Sequence, residues 1–419
     1  MDEVKLGSEE VINRARKLSS YSLCDSCLGR QFANVECGIK NVERGARIRQ
    51  SLGLEAVEPK ECWLCNGLMG EIKKFSKLVV YALRNYECDT FLVGSRVDEE
   101  ILVKEGELSA ITGYGEPIKQ EINREVGKLV ALDTGKEADF IRSHITAIIN
   151  TQYDEVELDI RPIYIYGRYR KLIRGIPQTR WPCRKCKGVG CDYCHGTGKM
   201  YEESVEEIIA KRVVELADGK EEYFHGAGRE DIDVLMLGNG RPFILEVRKP
   251  KKRNLDLSML EKEINSFGKK KVEVSQLRFA DKKEIEEIKS LKLSKTYRVV
   301  ASFNEKGKVN EAVNALRGCY INQRTPSRVA HRRADKIRKR KILDIMVEEE
   351  KMDEITLTVT AESGTYIKEM VTGDGGRTEP SLSELAGCPI NVKKLDVIGI
   401  GDKDGEKIER SQKQNSANT

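Results

Sequence analysis

The distribution of cysteine constrains this chain more than any other feature. Eight of its 12 cysteines fall into four Cys-x-x-Cys pairs, Cys24/Cys27, Cys62/Cys65, Cys183/Cys186 and Cys191/Cys194. Over 419 residues that is too few for a disulfide scaffold, and the paired spacing favours metal. Two pairs complete the tetrahedral thiolate shell that Zn2+ prefers, and four thiolates leave no open coordination position, so any zinc held this way is structural. In the first group 34 residues separate the pairs, and the fold has to bring them together. In the second, four residues separate them within CRKCKGVGCDYCHGTGK, where closure on one ion is tight and the glycines supply the turns. The expectation is a structural zinc on the first group, and a second one if that closure can be made. Cys37, Cys88, Cys319 and Cys388 are scattered and read as small buried hydrophobes.

The length suggests two or three domains. Lys and Arg total 73 against 68 Asp and Glu, a net charge of +5, too small to identify an anionic partner without local clustering. The longest aliphatic or aromatic run, Leu78 to Leu83, is far short of the roughly 20 residues of a membrane span. The first thirty residues lack the apolar stretch of a secretory signal, which places the chain in the cytoplasm. Residues 1–70 read as a zinc-binding module and 71–181 as an α/β domain, with helices at Lys77–Tyr86 and Glu116–Val130 and a strand at Asp89–Gly94. Residues 182–203 hold the second cysteine group. Ser204 with Glu207 forms a capping box that opens an α+β domain over 204–402. Its strands are expected at Asp233–Leu237, Pro242–Val247, Thr296–Ser302 and Ile355–Ala361. The polar tail 403–419 reads as disordered.

Two segments cluster positive charge. Residues 161–181 hold six Lys or Arg and four aromatics without an acid, a pairing that neutralises phosphates and offers faces to bases; Arg168, Arg170, Lys171 and Arg174 are its candidate RNA contacts. The competing reading is a strand with a solvated charged face. Gln323 to Lys341 holds nine Lys or Arg against one Asp, a density that repels itself without a polyanion. Arg332, Arg333, Arg338 and Arg340 are the candidates there.

Between these segments, residues 225–250 admit two chemistries. Asp233, Glu246 and Arg248 imitate the Asp…Glu-x-Lys arrangement of metal-dependent nucleases, although Arg cannot give up a proton as Lys can. Alternatively Asp231, with Arg229 beside it, acts as a single carboxylate without metal.

The second option gains from a resemblance. Gly228-Arg229-Glu230-Asp231-Ile232-Asp233-Val234 resembles the Gly-Arg-x-Asp-x-x-Val motif of pseudouridine synthases. Lys295-Thr296-Tyr297 resembles their Lys-x-Tyr element, and Gly364-Thr365-Tyr366-Ile367-Lys368 their Gly-Thr-Tyr-Ile-Arg motif, in the same order. Across nearly the whole chain the likeness is to the archaeal type of tRNA pseudouridine synthase that modifies the T-arm, positions 55 and 54. It implies an α+β, mixed but mostly antiparallel catalytic domain behind a zinc-stapled α/β THUMP-type RNA-binding region. It further implies isomerisation of uridine without a catalytic cofactor, with tRNA as partner and no membrane or obligate protein partner. Asp231 would be the catalytic residue, and Arg229, Tyr297, Tyr366 and Lys368 substrate-binding residues, with Lys368 pairing with Asp231 by opposite charge. Lys368 stands where many relatives have Arg, and Lys offers a point charge in place of a bidentate fork. A nuclease using Asp233 and Glu246, or a zinc RNA-binding protein without chemistry, are the alternatives.

Overall fold

The computed structural model describes residues 5–36, 38–113, 115–304 and 308–401. The chain divides into two compact units, one reaching Pro162 and taking in Arg248–Asn254, the other formed by Ile163–Val247 and the chain from Leu255 onward.

In the first unit, helices α1 (Glu9–Leu18), α2 (Asp25–Arg30), α3 (Asn41–Leu52) and α4 (Ile72–Leu83) are followed by β1 (Thr90–Arg96), α5 (Glu99–Thr112), α6 (Ile118–Thr134), β2 (Glu137–Ala138), β3 (Ile145–Asn150) and β4 (Glu155–Ile160). The sheet order is β2-β1-β3-β4, with β1 parallel to both of its neighbours and β3 antiparallel to β4. Ile118, Ile122, Val126 and Val130 recur every fourth residue on α6 and are all buried. That spacing makes one apolar stripe on a helix, and the stripe belongs to one core with Phe75, Phe91 and Ile149.

The same unit closes the long gap between the first two cysteine pairs. Helices α2 and α3 meet backbone to backbone: a Cβ on Gly29 would lie 1.9 Å from Asn41 O, and one on Gly45 1.9 Å from Asp25 O. Trp63 N donates to Ser22 O at 2.7 Å, which draws the Cys62/Cys65 turn against the start of α2. Beneath it Arg30 is fully buried. Its guanidinium bonds Glu121 at 3.0 Å and lies 3.6 Å from Glu105. Burial pushes both carboxyls above their ordinary values, against the pull of Arg30. Removing one partner of a buried pair leaves the other charge uncompensated. Arg30→Ala should therefore lower stability by about 3–5 kcal/mol, measured by urea unfolding; a loss below about 1 kcal/mol would mean that Glu121 is neutralised by other means.

The second unit is built on a ten-stranded sheet. Its elements are β5 (Ile163–Lys171), α7 (Val205–Ala217), β6 (Glu221–Gly226), β7 (Leu235–Arg248), α8 (Leu257–Gly268), β8 (Val272–Ala280), α9 (Lys283–Ser290), β9 (Lys295–Phe303), α10 (Val309–Leu316), β10 (Tyr320–Arg324), β11 (Ile337–Glu350), β12 (Glu354–Ala361), α11 (Ile367–Thr372), β13 (Thr378–Glu379), α12 (Leu382–Ala386) and β14 (Ile390–Ile400). The order is β13-β10-β11-β12-β9-β14-β7-β5-β8, with β6 beside β7. Only the β14–β7 contact along this path is parallel. This is the mixed, mostly antiparallel architecture that the resemblance implied. As expected, the Ser204 side chain caps α7, accepting from Glu207 N.

Three readings change. The stretch placed at the end of the first domain, up to residue 181, instead supplies β5, an interior strand of the second sheet between β7 and β8. The two strands expected at Asp233–Leu237 and Pro242–Val247 run together as β7, with Gly238 and Gly240 at positive φ between them. Among the scattered cysteines, Cys88 and Cys388 are buried but Cys319 is half-buried; Cys37 and the 403–419 tail lie outside the described residues.

Candidate active site

The loop between β6 and β7 is held from beneath. Glu230 points into the core, where its carboxylate accepts from the Tyr169 hydroxyl at 2.9 and 2.8 Å and from Arg241 Nε at 2.9 Å. Gln178 Nε2 donates to that hydroxyl at 2.8 Å and to Gly228 O at 3.0 Å, and Arg241 also donates to Ala227 O at 2.9 Å. Lys171 Nζ donates to the carbonyls of Ile176, Asp231 and Ile232 at 3.0, 3.1 and 3.2 Å. Gly228 adopts φ 82° where a Cβ would stand 3.2 Å from an Arg241 nitrogen, so the motif's glycine is required on both counts.

With Glu230 turned inward, Arg229 and Asp231 face outward on a cleft of about 240 Å³. Asp231 Oδ2 accepts from an Arg328 nitrogen at 2.9 Å, and Lys368 Nζ lies 3.9 Å away. Lys368 bonds Asp233 instead, at 2.8 Å. Burial acts to raise the Asp233 carboxyl, and the Lys368 ammonium outweighs it and holds that carboxyl below its ordinary value. Trp181 also lines the cleft, with the Arg229 guanidinium 5.9 Å from its ring centre. Tyr297 lies on β9, its hydroxyl pushed up to about 12 by burial with a contribution from Asp231. Tyr366 is held by paired bonds with the Gln323 side chain, both at 2.9 Å, and its hydroxyl accepts from Arg333 at 2.7 Å. The three motifs thus converge on one site.

The basic residues divide differently from the sequence expectation. Lys171 is fully buried, so it props the loop and is not placed to touch RNA. Arg168 bonds the carbonyls of Asn239, Gly240 and Ile400; Arg174 bonds the carbonyls of Asp233 and Leu395 and pairs with Asp396. Arg170 is exposed and pairs with Glu273. In the second run Arg338 reaches Thr325 Oγ1 at 3.0 Å and Arg340 the Lys339 carbonyl at 3.0 Å, while the Arg332 side chain lies outside what is described. The Arg328 and Glu369 contacts and the Tyr169–Glu230–Arg241 network were missed. For Tyr169 and Lys171 a signal was present: Ile163, Ile165, Gly167, Tyr169 and Lys171 alternate along β5, and period two puts them on one buried face. Arg328 carries no such mark within a run of similar residues.

The nuclease arrangement is not assembled. Glu246 pairs in register with Tyr164, whereas Met236, just beyond Asp233, pairs with Lys171 at the other end of β5. At about 3.3 Å per residue these stations lie roughly 20 Å apart, too far to share an ion, and Glu246 bonds His225 at 3.2 Å.

Among the described residues, the groups that could hold a metal are the two cysteine quartets. A tetrahedron with metal–sulfur bonds of about 2.3 Å has edges of about 3.8 Å. The Cys24–Cys65 sulfurs are 3.9 Å apart, Cys183–Cys191 3.9 Å, Cys186–Cys194 3.8 Å and Cys191–Cys194 3.7 Å. Backbone N–H groups point at the thiolates, among them Cys24 N at Cys62 and Gly198 N at Cys194, a polarity suited to anionic sulfur. Both quartets fit a tetrahedral ion, and the tight second closure is made.

Comparison with known proteins agrees with this geometry. The family profile described as "Pus10, C-terminal" matches residues 164–401, and "Pus10 THUMP domain, archaeal" matches 75–150. A relative from Methanothrix thermoacetophila, named tRNA pseudouridine synthase Pus10, is 42% identical over 97% of each chain. The chain belongs to the Pus10 family. A relative of the same name from Pyrococcus furiosus is 40% identical over 94% of this chain and 98% of its own. By family the chain is an enzyme, an isomerase of the pseudouridine synthase class. Among solved structures, a chain from a Cbf5-Nop10-Gar1 complex aligns over 47% of this chain and 45% of its own, at 16% identity and a TM-score of 0.30.

Lys295, of the Lys-x-Tyr element, is lowered from 10.5 to about 8 by burial and the Arg241 charge, against the pull of Glu230. The unfolded chain then holds more protons than the folded one between about 8 and 10.5, and stability rises with pH across that window. Lys295→Met should raise stability near neutral pH and flatten the rise, as urea unfolding on either side of the window would measure. A variant with an unaltered rise would assign it to other groups.

Proposed function

We propose that this Pus10-family chain isomerises uridine to pseudouridine in the T-arm of tRNA, at position 55 and also at position 54. The observation that carries this reading is the outward carboxylate of Asp231, set on a loop pinned from the core and sharing one cleft with Arg229 and Lys368. The N-glycosidic bond breaks, the uracil turns over, and a C–C glycosidic bond forms in its place, with the C5 proton lost and N1 protonated. Asp231 engages the ribose, at its anomeric carbon or at the neighbouring proton. Tyr297 stacks on the uracil, and Tyr366 walls the site. The target uridine has to leave its stack to reach Asp231, and Arg229 with the exposed part of the 324–341 run holds the distorted backbone. The four-stranded unit, with its match to an archaeal THUMP domain, supports a role in holding the rest of the tRNA. Both quartets hold Zn2+ as structural staples, so that no catalytic step uses a metal. The chain acts in the cytoplasm and needs no protein partner.

Asp231→Asn keeps the shape of the side chain and removes its charge. tRNA binding should survive while pseudouridine formation, read by nucleoside analysis of treated tRNA, falls about 10⁴-fold or more, equivalent to more than about 5 kcal/mol of transition-state stabilisation. Near wild-type conversion by the folded variant would remove Asp231 from the mechanism. Transcripts with cytidine at position 55 should still be modified at 54, and an unmodified product would restrict the enzyme to 55.

Elemental analysis of protein purified without chelator should find two zinc ions per chain. Forced removal of the first should unfold the first unit, since thiolates drawn from distant turns gather only in the folded chain and the binding free energy is on the order of 10 kcal/mol or more. Fewer than one zinc per chain would leave the quartets as free thiols.

A further inference from the structure

The motif resemblance assigns the partner of the catalytic carboxylate to Lys368, yet the closest cation comes from elsewhere in the chain. Arg328 lies on a short 3-10 helix, Ser327–Arg332, after β10. One guanidinium nitrogen donates to Asp231 Oδ2 at 2.9 Å and Nε donates to Glu369 Oε1 at 2.6 Å. Lys368, turned to Asp233, stands a full ångström further from Asp231. The result is a row of alternating charges, Glu369, Arg328, Asp231, Lys368 and Asp233.

The Arg328 position is built into the fold. Glu369 is buried at the start of α11, and its second oxygen is buried without a hydrogen-bond partner, so the one bond it makes to Arg328 offsets its desolvation. The turn is fixed on both sides of Arg328: Ser327 N and its hydroxyl bond Asp374, and Val329 is buried. The Tyr366 ring centre lies 6.0 Å from the guanidinium. Burial would lower the Arg328 guanidinium, and Glu369 and Asp231 outweigh it. A planar fork can span two carboxylates and fix their relative orientation, which an ammonium cannot do.

We propose that Arg328 is the positioning residue of the catalytic carboxylate: anchored by Glu369, its guanidinium sets the direction in which Asp231 faces the ribose. Lys368 then serves Asp233 and the charge balance of the rim, and the Lys in place of Arg in the last motif costs the site no geometry because the fork is supplied from the β10–β11 connection. That connection also carries the basic run, so the segment that meets the RNA backbone is the one that orients the reactive group. This inference rests on the pseudouridine synthase reading and on Asp231 as its catalytic residue.

The competing role for Arg328 is a phosphate contact, and the two roles part in kinetics. The test uses the full chain and T-arm tRNA, comparing Arg328→Ala, Arg328→Lys and Glu369→Gln by single-turnover rate at saturating enzyme, by tRNA Kd, and by the salt dependence of that Kd. Positioning predicts that Arg328→Ala slows the saturated rate about 100-fold, the effect of a misplaced reactive group, with Kd within about threefold. Arg328→Lys should recover only part of the rate, and millimolar guanidinium should raise the rate of Arg328→Ala but not of wild type. Glu369→Gln, whose buried side chain cannot meet RNA, should slow the saturated rate about tenfold with the salt slope unchanged. If Arg328→Ala fails to fold, Glu369→Gln and Arg328→Lys decide. A saturated rate within about threefold of wild type, with weaker binding and a salt slope reduced by roughly 0.7–0.9, would overturn the inference and make Arg328 a phosphate contact. Asp231→Asn run alongside separates the levels: if it is inactive, failure at Arg328 concerns this inference alone; if it is active, the functional reading falls and this inference with it.

Discussion

The buried contact between Glu230 and Arg241 is the interaction on which the site depends. Both side chains are essentially inaccessible, and such a pair is retained only when the remaining donors and acceptors find partners. Here they do: Tyr169 and Arg241 occupy both carboxylate oxygens, and Arg241 continues to the Ala227 carbonyl. Glu230 is fixed inward, while Arg229 and Asp231 on either side of it line the cleft. The direction of Asp231 is therefore decided by its buried neighbour, Glu230.

The two ends of the motif set are tied by the same logic. Gln323, at the end of β10, holds the backbone of Tyr366 on both its N–H and its carbonyl, and Thr325 in the following connection takes up Arg338 and Arg377. The segment that presents Arg328 is in this way fastened to the segment that presents Lys368 and Glu369. A change in one would be felt at the other through hydrogen bonds that can be named.

What could be read in the sequence follows from which constraints are local. Metal pairs, capping at Ser204 and the three motifs are short-range patterns, and each appears where the sequence placed it. Within the basic-aromatic stretch, composition alone does not separate Lys171 from its neighbours, but alternation does: Lys171 shares a face with Ile163 and Tyr169, and a cation there must be satisfied inside. Arg328 was illegible for a different reason. Nine basic residues in one run look alike, and the selection of one to face Asp231 is made by Asp374, Glu369 and the burial of Val329, partners supplied by distant chain.

The balance of charge under and around the loop bears on what the cleft can hold. Beneath it lie three basic side chains, Arg241, Lys171 and Lys295, against the one carboxylate of Glu230, and burial lowers both lysines. Each cation there gives up hydration, which Lys171 recovers in part from three carbonyls and Arg241 from Glu230 and the Ala227 carbonyl. Positive potential in a walled cleft concentrates anions. The rim cations Arg328 and Lys368 each meet a carboxylate, so the positive excess comes from the floor and from the exposed basic run. An excess of basic side chains beneath the loop and a pinned carboxylate above it are thus two consequences of one buried network.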